Sequence, residues 1–176
     1  MSGKSPTASE GGKSAKPSRK GQWLNASQGR AWLSFMRVYH RLEYEMNSQL
    51  QAECGLSLGD YTVMNALSAA PDHRAQLTSL ATTIGWERSR LSHHLQRMTR
   101  RGLVVKEQSA SDGRATDAVL TDLGWDTLRT AAPLHAAWIR RLVFSDTTPG
   151  QEAELAGILS VVYESILREG TLPRPD

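Results

Sequence analysis

The stretch Ile84–Val105, IGWERSRLSHHLQRMTRRGLVV, decides how the chain is read. With successive residues about 100° apart, Leu91, Leu95 and Met98 fall in one narrow arc, the spacing of a helix buried on one face. Ser89, Ser92, His93, Gln96 and Arg100 fall on the opposite arc, with Arg97 beside it. The pattern predicts a helix over Glu87–Arg101, ended by Gly102, with Arg100 and Arg101 suited to the negative end of the helix dipole. A helix anchored by leucines and cationic on its other face is either a solvated surface helix or one that enters a nucleic-acid groove.

Its neighbours favour the groove. A short helix over about Leu77–Thr83 and the turn Ile84-Gly85-Trp86 come before it, the layout of a helix-turn-helix whose second helix reads a major groove. After it, Leu103–Gln108 and Ala115–Leu120 are predicted strands, joined through the turn signal Asp112-Gly113. In such a hairpin Arg114 is placed to enter a narrow minor groove. Asp112 cannot itself favour phosphate, so its expected role is to pair with Arg114 and hold the guanidinium fork. Taken alone, the hairpin also reads as a plain turn with an exposed Asp and Arg.

Further out, Trp32, Phe35, Met36, Tyr39, Leu42, Met46 and Leu50 recur at helical spacing from about Ser27 to the stop at Cys54-Gly55. Ser57 with Asp60 has the form of a capping box for a second helix carrying Tyr61, Met64 and Leu67, which breaks at Ala70-Pro71-Asp72. Thr121 is placed to cap a fifth helix reaching about Val143, with Leu123, Leu128, Leu134, Trp138 and Leu142 on its apolar side. Pro149 suits the first turn of a sixth, striped by Leu155, Ile158, Leu159, Val162 and Ile166. The predicted order is four helices, a hairpin and two helices, with no internal repeat.

At 176 residues and 39% hydrophobic, the chain is long enough for one substantial core. It has no run of eighteen apolar residues to span a membrane, and its N-terminal segment lacks the apolar core of a secretory signal. A single cysteine excludes an internal disulfide framework and a cysteine-based zinc site. A cytoplasmic setting is expected. Residues 1–20 hold Lys4, Lys13, Lys16, Arg19 and Lys20 against Glu10, which exceeds the whole chain's net charge of +3. The remainder is therefore slightly negative overall, yet Trp86–Lys106 sets five arginines and a lysine against Glu87 alone. Such focused charge on a near-neutral body suits one polyanion contact rather than general stickiness. The first twenty or so residues, rich in Ser, Gly, Lys and Pro, are expected to be a disordered tail.

The run LTSLATTIGWERSRLSHHLQRMTRRGLVVKEQSASDGRATDAVLTDLG, residues 77–124, resembles the MarR family of winged-helix transcription regulators. The matching features are the helix-turn-helix at Leu77–Arg101, the RMTRRGLV ending, Asp112-x-Arg114, and Leu120-Thr121-x-x-Gly124 opening the next helix. The six-helix layout extends the resemblance over about residues 27–170. It implies a homodimer with intertwined N- and C-terminal helices, bound to a pseudo-palindromic DNA operator. It further implies repression relieved by a small phenolic or other aromatic ligand or by oxidation. Carried over position by position, it puts Arg88, Ser89, Arg90, Ser92, His93 and Arg97 on the DNA-facing helix, with Arg114 in the minor groove and Asp112 its partner. Two positions depart from the pattern. Glu87 stands where Ser, Thr or Asp usually caps the recognition helix, and Ala118 replaces a larger β-branched residue in the second wing strand.

Other constellations are weaker. His93 and His94 are adjacent on a helix and point about 100° apart, so a shared metal ion is not expected. Ser92, His93 and Asp112 can be strung into a hydrolytic triad, but no nucleophile turn or oxyanion loop accompanies them. Redox-sensing members of the family use a cysteine near the start of the first helix, whereas Cys54 lies past its far end, where an inert half-buried thiol is expected. Trp32, Tyr39, His40 and Tyr61 are candidates to line an aromatic ligand site, against the alternative that each is core or dimer interface.

The expected fold class is mainly α with a small β-hairpin wing, a winged helix-turn-helix lobe over about residues 57–120. Dimerisation helices are expected over about 27–53 and 121–168, with tails at 1–26 and 171–176. The expected function is a non-enzymatic, homodimeric regulator that binds double-stranded DNA and responds to a small aromatic ligand, with no cofactor and no membrane contact. The alternatives are a constitutive DNA binder without ligand response and an enzyme using Ser92 and His93.

Overall fold

The computed structural model describes residues 23–109 and 113–175. The basic segment at residues 1–22 and the wing residue Asp112 lie outside the described residues. The chain divides into two units, residues 1–40 and 41–176.

The described part of the first unit is the start of helix α1 (Ala26–Cys54). Asn25 Oδ1 accepts from the Gln28 backbone N–H at 2.9 Å while Gln28 Oε1 accepts from the Asn25 N–H at 3.0 Å, so two of the helix-end donors are satisfied reciprocally. Trp32, Phe35 and Tyr39 then stack in a row along the helix, with centroids 6.0 and 6.4 Å apart, and each stays exposed.

In the second unit Gly55, at a φ of +64°, lets the chain leave α1 in the left-handed region. Ser57 then starts α2 (Leu58–Ala69). Its hydroxyl accepts from Asp60 N–H while the Asp60 carboxylate accepts from Ser57 N–H, the capping box expected from the sequence. After a 3-10 turn at Pro71–His73 come β1 (Arg74–Gln76), α3 (Leu77–Thr83), α4 (Arg88–Arg100), β2 (Val104–Gln108), β3 (Thr116–Leu120), α5 (Asp122–Val143) and α6 (Pro149–Glu169). Thr121 and Thr148 cap the last two helices, and Pro149 occupies the first turn of α6.

The sheet is antiparallel in the order β1-β3-β2, so the hairpin carries a third strand that the sequence pattern did not reveal. Arg74, Ala75 and Gln76 pair with Val119, Ala118 and Asp117, and nothing in Arg-Ala-Gln favours a strand on its own. Pairing to β3 imposes it, and Arg74 ties the three strands together by reaching Glu107 at 2.6 Å and Asp117 at 3.5 Å. Ala118 is wholly buried between Ala75 and Lys106 in register, a small residue facing another small one.

The core joins Leu50 and Leu56 to Met64 and Leu67 of α2, Leu80 of α3, the inner face of α4 and Val104 of β2. On α5 the buried line is Leu128, Ala131 and His135, whereas Leu123, Leu134 and Leu142 are exposed and Trp138 is half-buried. His135 Nδ1 lies 2.8 Å from Gln49 Oε1 across to α1, and burial lowers its imidazole pKa. α6 buries none of its residues, and its predicted stripe is open along its length. Among the described residues no helix is long and apolar enough to cross a membrane.

Candidate nucleic-acid interface

Helices α3 and α4 are joined by a turn that needs Gly85, whose φ is +68°. Trp86 N–H closes the turn by donating to Ala81 O at 2.8 Å. Glu87 starts α4 without any side-chain cap bond, consistent with its departure from the usual capping residue. Leu91, Leu95 and Met98 are completely buried, so the expected inner arc of α4 is its packed face.

The outer face carries Arg88, Ser89, Arg90, His93, Gln96, Arg97 and Arg100, all exposed, with Ser92 half-buried at its edge. The burial of one arc thus directs the predicted polar residues outwards together. Their side chains are not equally held. The Arg90 guanidinium lies over the Trp86 ring, 4.1 Å from its centroid, a cation–π contact that biases its rotamer. Lys106 of β2 reaches Ser92 O at 3.4 Å. Arg88, His93 and Arg100 have no side-chain hydrogen bond or ion pair with any other described residue.

His94 differs from its neighbour His93. It is buried, its ring set edge-on to Trp86 at 5.2 Å, with Nδ1 2.8 Å from Arg97 Nη2 and Nε2 3.0 Å from Asp60 Oδ1. The second approach is close enough for an ion pair but is bent away from a well-formed hydrogen bond. Asp60 also accepts from Arg101 Nη1 at 2.6 Å, and Arg101 Nη2 donates to Gly55 O at 2.8 Å. Burial alone would raise the Asp60 carboxyl. The close polar contact of His94 together with hydrogen bonds from Ser57 and Arg101 outweighs it and holds the group well below the usual carboxylate range. Arg101, expected to serve the helix end, instead ties the end of α4 to the start of α2. The sequence reading missed this cluster, although His94 flanks the Leu91–Leu95–Met98 arc at helical spacing.

In the wing, Ser109 N–H donates to Ala115 O at 3.0 Å and Gln108 Nε2 donates to Gly113 O, drawing the two strands together. Arg114 is exposed on the second arm of the hairpin. The expected pair with Asp112 lies outside the described residues.

The four ligand candidates fall in different units. Trp32, Tyr39 and His40 are exposed in the first, with the Tyr39 and His40 rings 5.3 Å apart. Tyr61 is half-buried in the second, its ring 4.7 Å from His135, and desolvation followed by the nearby Cys54 raises its pKa. A hollow of about 390 Å³ beside α5 is lined by Glu53, Cys54, Asp126, Thr127, Thr130, Ala131 and Leu134, and by none of these four. Burial and the Glu53 charge push the Cys54 thiol up, which disfavours the reactive thiolate. Among the described residues no cluster of three or more His, Cys, Asp and Glu is arranged to hold a metal ion.

Residues 55–115 match the family model described as the MarR family. No curated protein matches the chain significantly. Among solved structures, the chain is 35% identical to Sco3205, a MarR family transcriptional regulator from Streptomyces coelicolor in complex with DNA. That match covers 86% of this chain and 96% of the other at a TM-score of 0.79. AbsC, a MarR family transcriptional regulator from the same organism, is 34% identical over 82% of this chain and 97% of its own, with a TM-score of 0.76. The organohalide-sensing regulator RdhR-CbdbA1625, in its 2,4-dichlorophenol-bound form, is similar in fold alone. Its identity is 18%, with 90% and 92% of the chains covered and a TM-score of 0.71.

Proposed function

Because the chain belongs to the MarR family of transcriptional regulators, whose fold is a DNA-binding winged helix, we propose that it is a repressor acting as a homodimer on a pseudo-palindromic operator. The observation that carries this reading is the division of α4. One arc is fully buried, while Arg88, Ser89, Arg90, His93 and Arg97 face solvent from the other, with Ser92 at its edge. In a major groove, Arg90 and His93 would read base edges and Arg88 and Arg97 would meet bases or phosphates. Arg114, steadied by Asp112, would enter the flanking minor groove. A twofold dimer sets two such helices about 34–36 Å apart, one turn of DNA.

Dimerisation is supported by the apolar stripe of α6. Leu155, Ile158, Leu159, Val162 and Ile166 are each at least 43% exposed, more apolar surface than a soluble monomer usually leaves open. The dimerisation segments are taken as about 27–53 and 121–168, flanking the lobe at about 57–120, with tails at 1–26 and 171–176. We further propose release by a small aromatic or phenolic ligand, a reading supported by the 2,4-dichlorophenol bound in the structurally similar RdhR-CbdbA1625. Trp32, Tyr39, His40 and Tyr61 remain the residues offered to it. The protein acts in the cytoplasm, without enzymatic activity or cofactor.

Selection of bound duplexes from a random pool by the purified protein tests this reading. A twofold-related motif is expected. Arg114→Ala is expected to flatten preference at an A·T-rich flank, and Arg90→Ala or His93→Ala to change the preferred base at one position by about 1–3 kcal/mol. No enriched motif, or three variants that bind the selected duplex as the unchanged protein does, would overturn the assignment.

A further inference from the structure

Arg97 stands on the face proposed to meet DNA, but its guanidinium is already engaged by His94. A guanidinium can only donate, so Nδ1 of His94 must be the accepting nitrogen. That leaves the ring proton of neutral His94 on Nε2, the nitrogen 3.0 Å from Asp60 Oδ1. The two ends of one ring thus have opposite roles, set by partners on different helices. The carboxylate of α2 lies beside the proton side, off the line of a well-formed hydrogen bond, and the lone-pair side meets the cation of α4.

The ring has little freedom to leave this arrangement. It is buried, stands edge-on to Trp86 at 82°, and lies so near α2 that a Cβ on Gly59 would come within 2.8 Å of His94 Cε1 and 3.0 Å of Trp86 Cη2. The charged group on Asp60 is Arg101, on the opposite carboxylate oxygen. Ser57, Gly55, Gln51 and Leu56 complete the neighbouring hollow and carry no charge. Asp60 is therefore held by Ser57 N–H and Arg101 and sits against the ring, while the ring holds Arg97.

We infer that His94 is a positioning residue for DNA recognition: its buried ring, oriented by Asp60, Trp86 and Gly59, holds Arg97 in the conformation that meets the operator. This rests on the proposal that Arg97 contacts DNA. Arginine loses much rotamer freedom on binding unless it is ordered beforehand, and a guanidinium bonded through one nitrogen keeps its other donors for a phosphate or base. Losing that pre-ordering is expected to weaken operator binding roughly three- to tenfold, the cost of immobilising one long side chain at an interface.

The test is a double-mutant cycle on the full chain, read by fluorescence anisotropy with a labelled duplex enriched from a random pool by the unchanged protein. Arg97→Ala is expected to weaken binding. His94→Phe is expected to weaken it three- to tenfold in the original background and not at all in the Arg97→Ala background. His94→Asn, whose amide oxygen is bonded to Cγ as Nδ1 is and can accept from Arg97, should recover most of the loss. Should His94→Phe melt early beside Asp60, His94→Gln, whose amide stands at the place of Nε2 beside Asp60 and not at that of Nδ1, replaces it in the same cycle. Equal losses in both backgrounds, or an Asn variant as weak as the Phe or Gln variant, would show that His94 acts through the fold alone and overturn the inference. If instead Arg97→Ala binds like the unchanged protein, the DNA contact of Arg97 is what fails, and the positioning role falls with it. A nitrogen-15 spectrum offers an independent check: Nδ1 of His94 should be the unprotonated nitrogen in the free protein, and a proton found there would also refute the arrangement.

Discussion

Gly124 is the position where helix propensity and packing give opposite signs for one substitution. It sits in the first turn of α5, buried, with its N–H donating to the capping hydroxyl of Thr121 at 3.0 Å. Propensity argues that Gly124→Ala stabilises, by about 1 kcal/mol in a helix and up to a similar amount through the unfolded chain. Packing argues the reverse. A Cβ here would run into the backbone carbonyl of Leu103 and come within 2.8 Å of Leu120 Cδ1. A side chain could turn aside, but the carbonyl accepts from Thr121 N–H at 3.2 Å and is fixed by the turn at Gly102. Relief therefore requires the start of β2 to part from α5, which strains packing by about 1–3 kcal/mol or more. It also disturbs the Thr121 cap, worth about 1 kcal/mol. The net expectation is a loss of about 1–3 kcal/mol, roughly 3–10 °C in melting temperature for a chain of this size. Gly157→Ala is the control, since a Cβ there meets nothing within 4 Å among the described residues and should stabilise slightly. Thermal unfolding by circular dichroism reads both. A Gly124→Ala protein at least as stable as the original would show that the wing and α5 do not meet as described.

Two further outcomes are expected. Asp60→Asn should cost about 2–3 kcal/mol in urea unfolding at neutral pH, because it removes the charge that Arg101 and His94 face. The folded-state carboxyl is depressed, so its contribution is complete above the ordinary carboxylate range and is lost as pH falls below about 5; the variant should therefore show a shallower acid limb, and an unchanged limb would contradict the cluster. Val162→Asp, on the open stripe of α6, should yield a monomer by sedimentation equilibrium that has lost the tighter binding of a two-half-site duplex over a single half-site; a persistent dimer would move the interface elsewhere.

What the sequence made legible was local. Ser57 and Asp60 are three residues apart, and the capping box they form is decided within that span. The inner arc of α4 follows from the spacing of Leu91, Leu95 and Met98, and the end of the helix from Gly102, at a φ of +74°. What escaped depends on partners far along the chain. β1 is a strand because β3 lies beside it, 43 residues on, and no preference of Arg-Ala-Gln foretells that. Arg101 resembled one more cation of a basic helix, yet its carboxylate partner is 41 residues earlier. The 100° between His93 and His94 argues against a shared metal ion but does not foretell what His94 meets. One position around the helix separates a solvent-facing residue from one buried against α2.

The same distinction changes what the basic stretch is worth electrostatically. Read as a count, Trp86–Lys106 offers five arginines and a lysine to a polyanion. In the folded chain they form a graded set. Arg101 is paired with a buried carboxylate, so a phosphate could recruit it only by breaking a charge-assisted bond. Arg90, Arg97 and Lys106 are held by neutral groups, the Trp86 ring, His94 and the Ser92 carbonyl, which leave their charge intact while restricting where it points. Arg88 and Arg100 are unengaged among the described residues and can follow any phosphate. Each phosphate neutralised contributes about −0.9 to the salt dependence of binding, whichever cation reaches it. Discrimination between sequences instead needs donors held in place before DNA arrives. Neutral holders therefore suit the residues proposed to face the groove: they restrict direction without cancelling charge, whereas the carboxylate clamp fixes the helix at the cost of one cation.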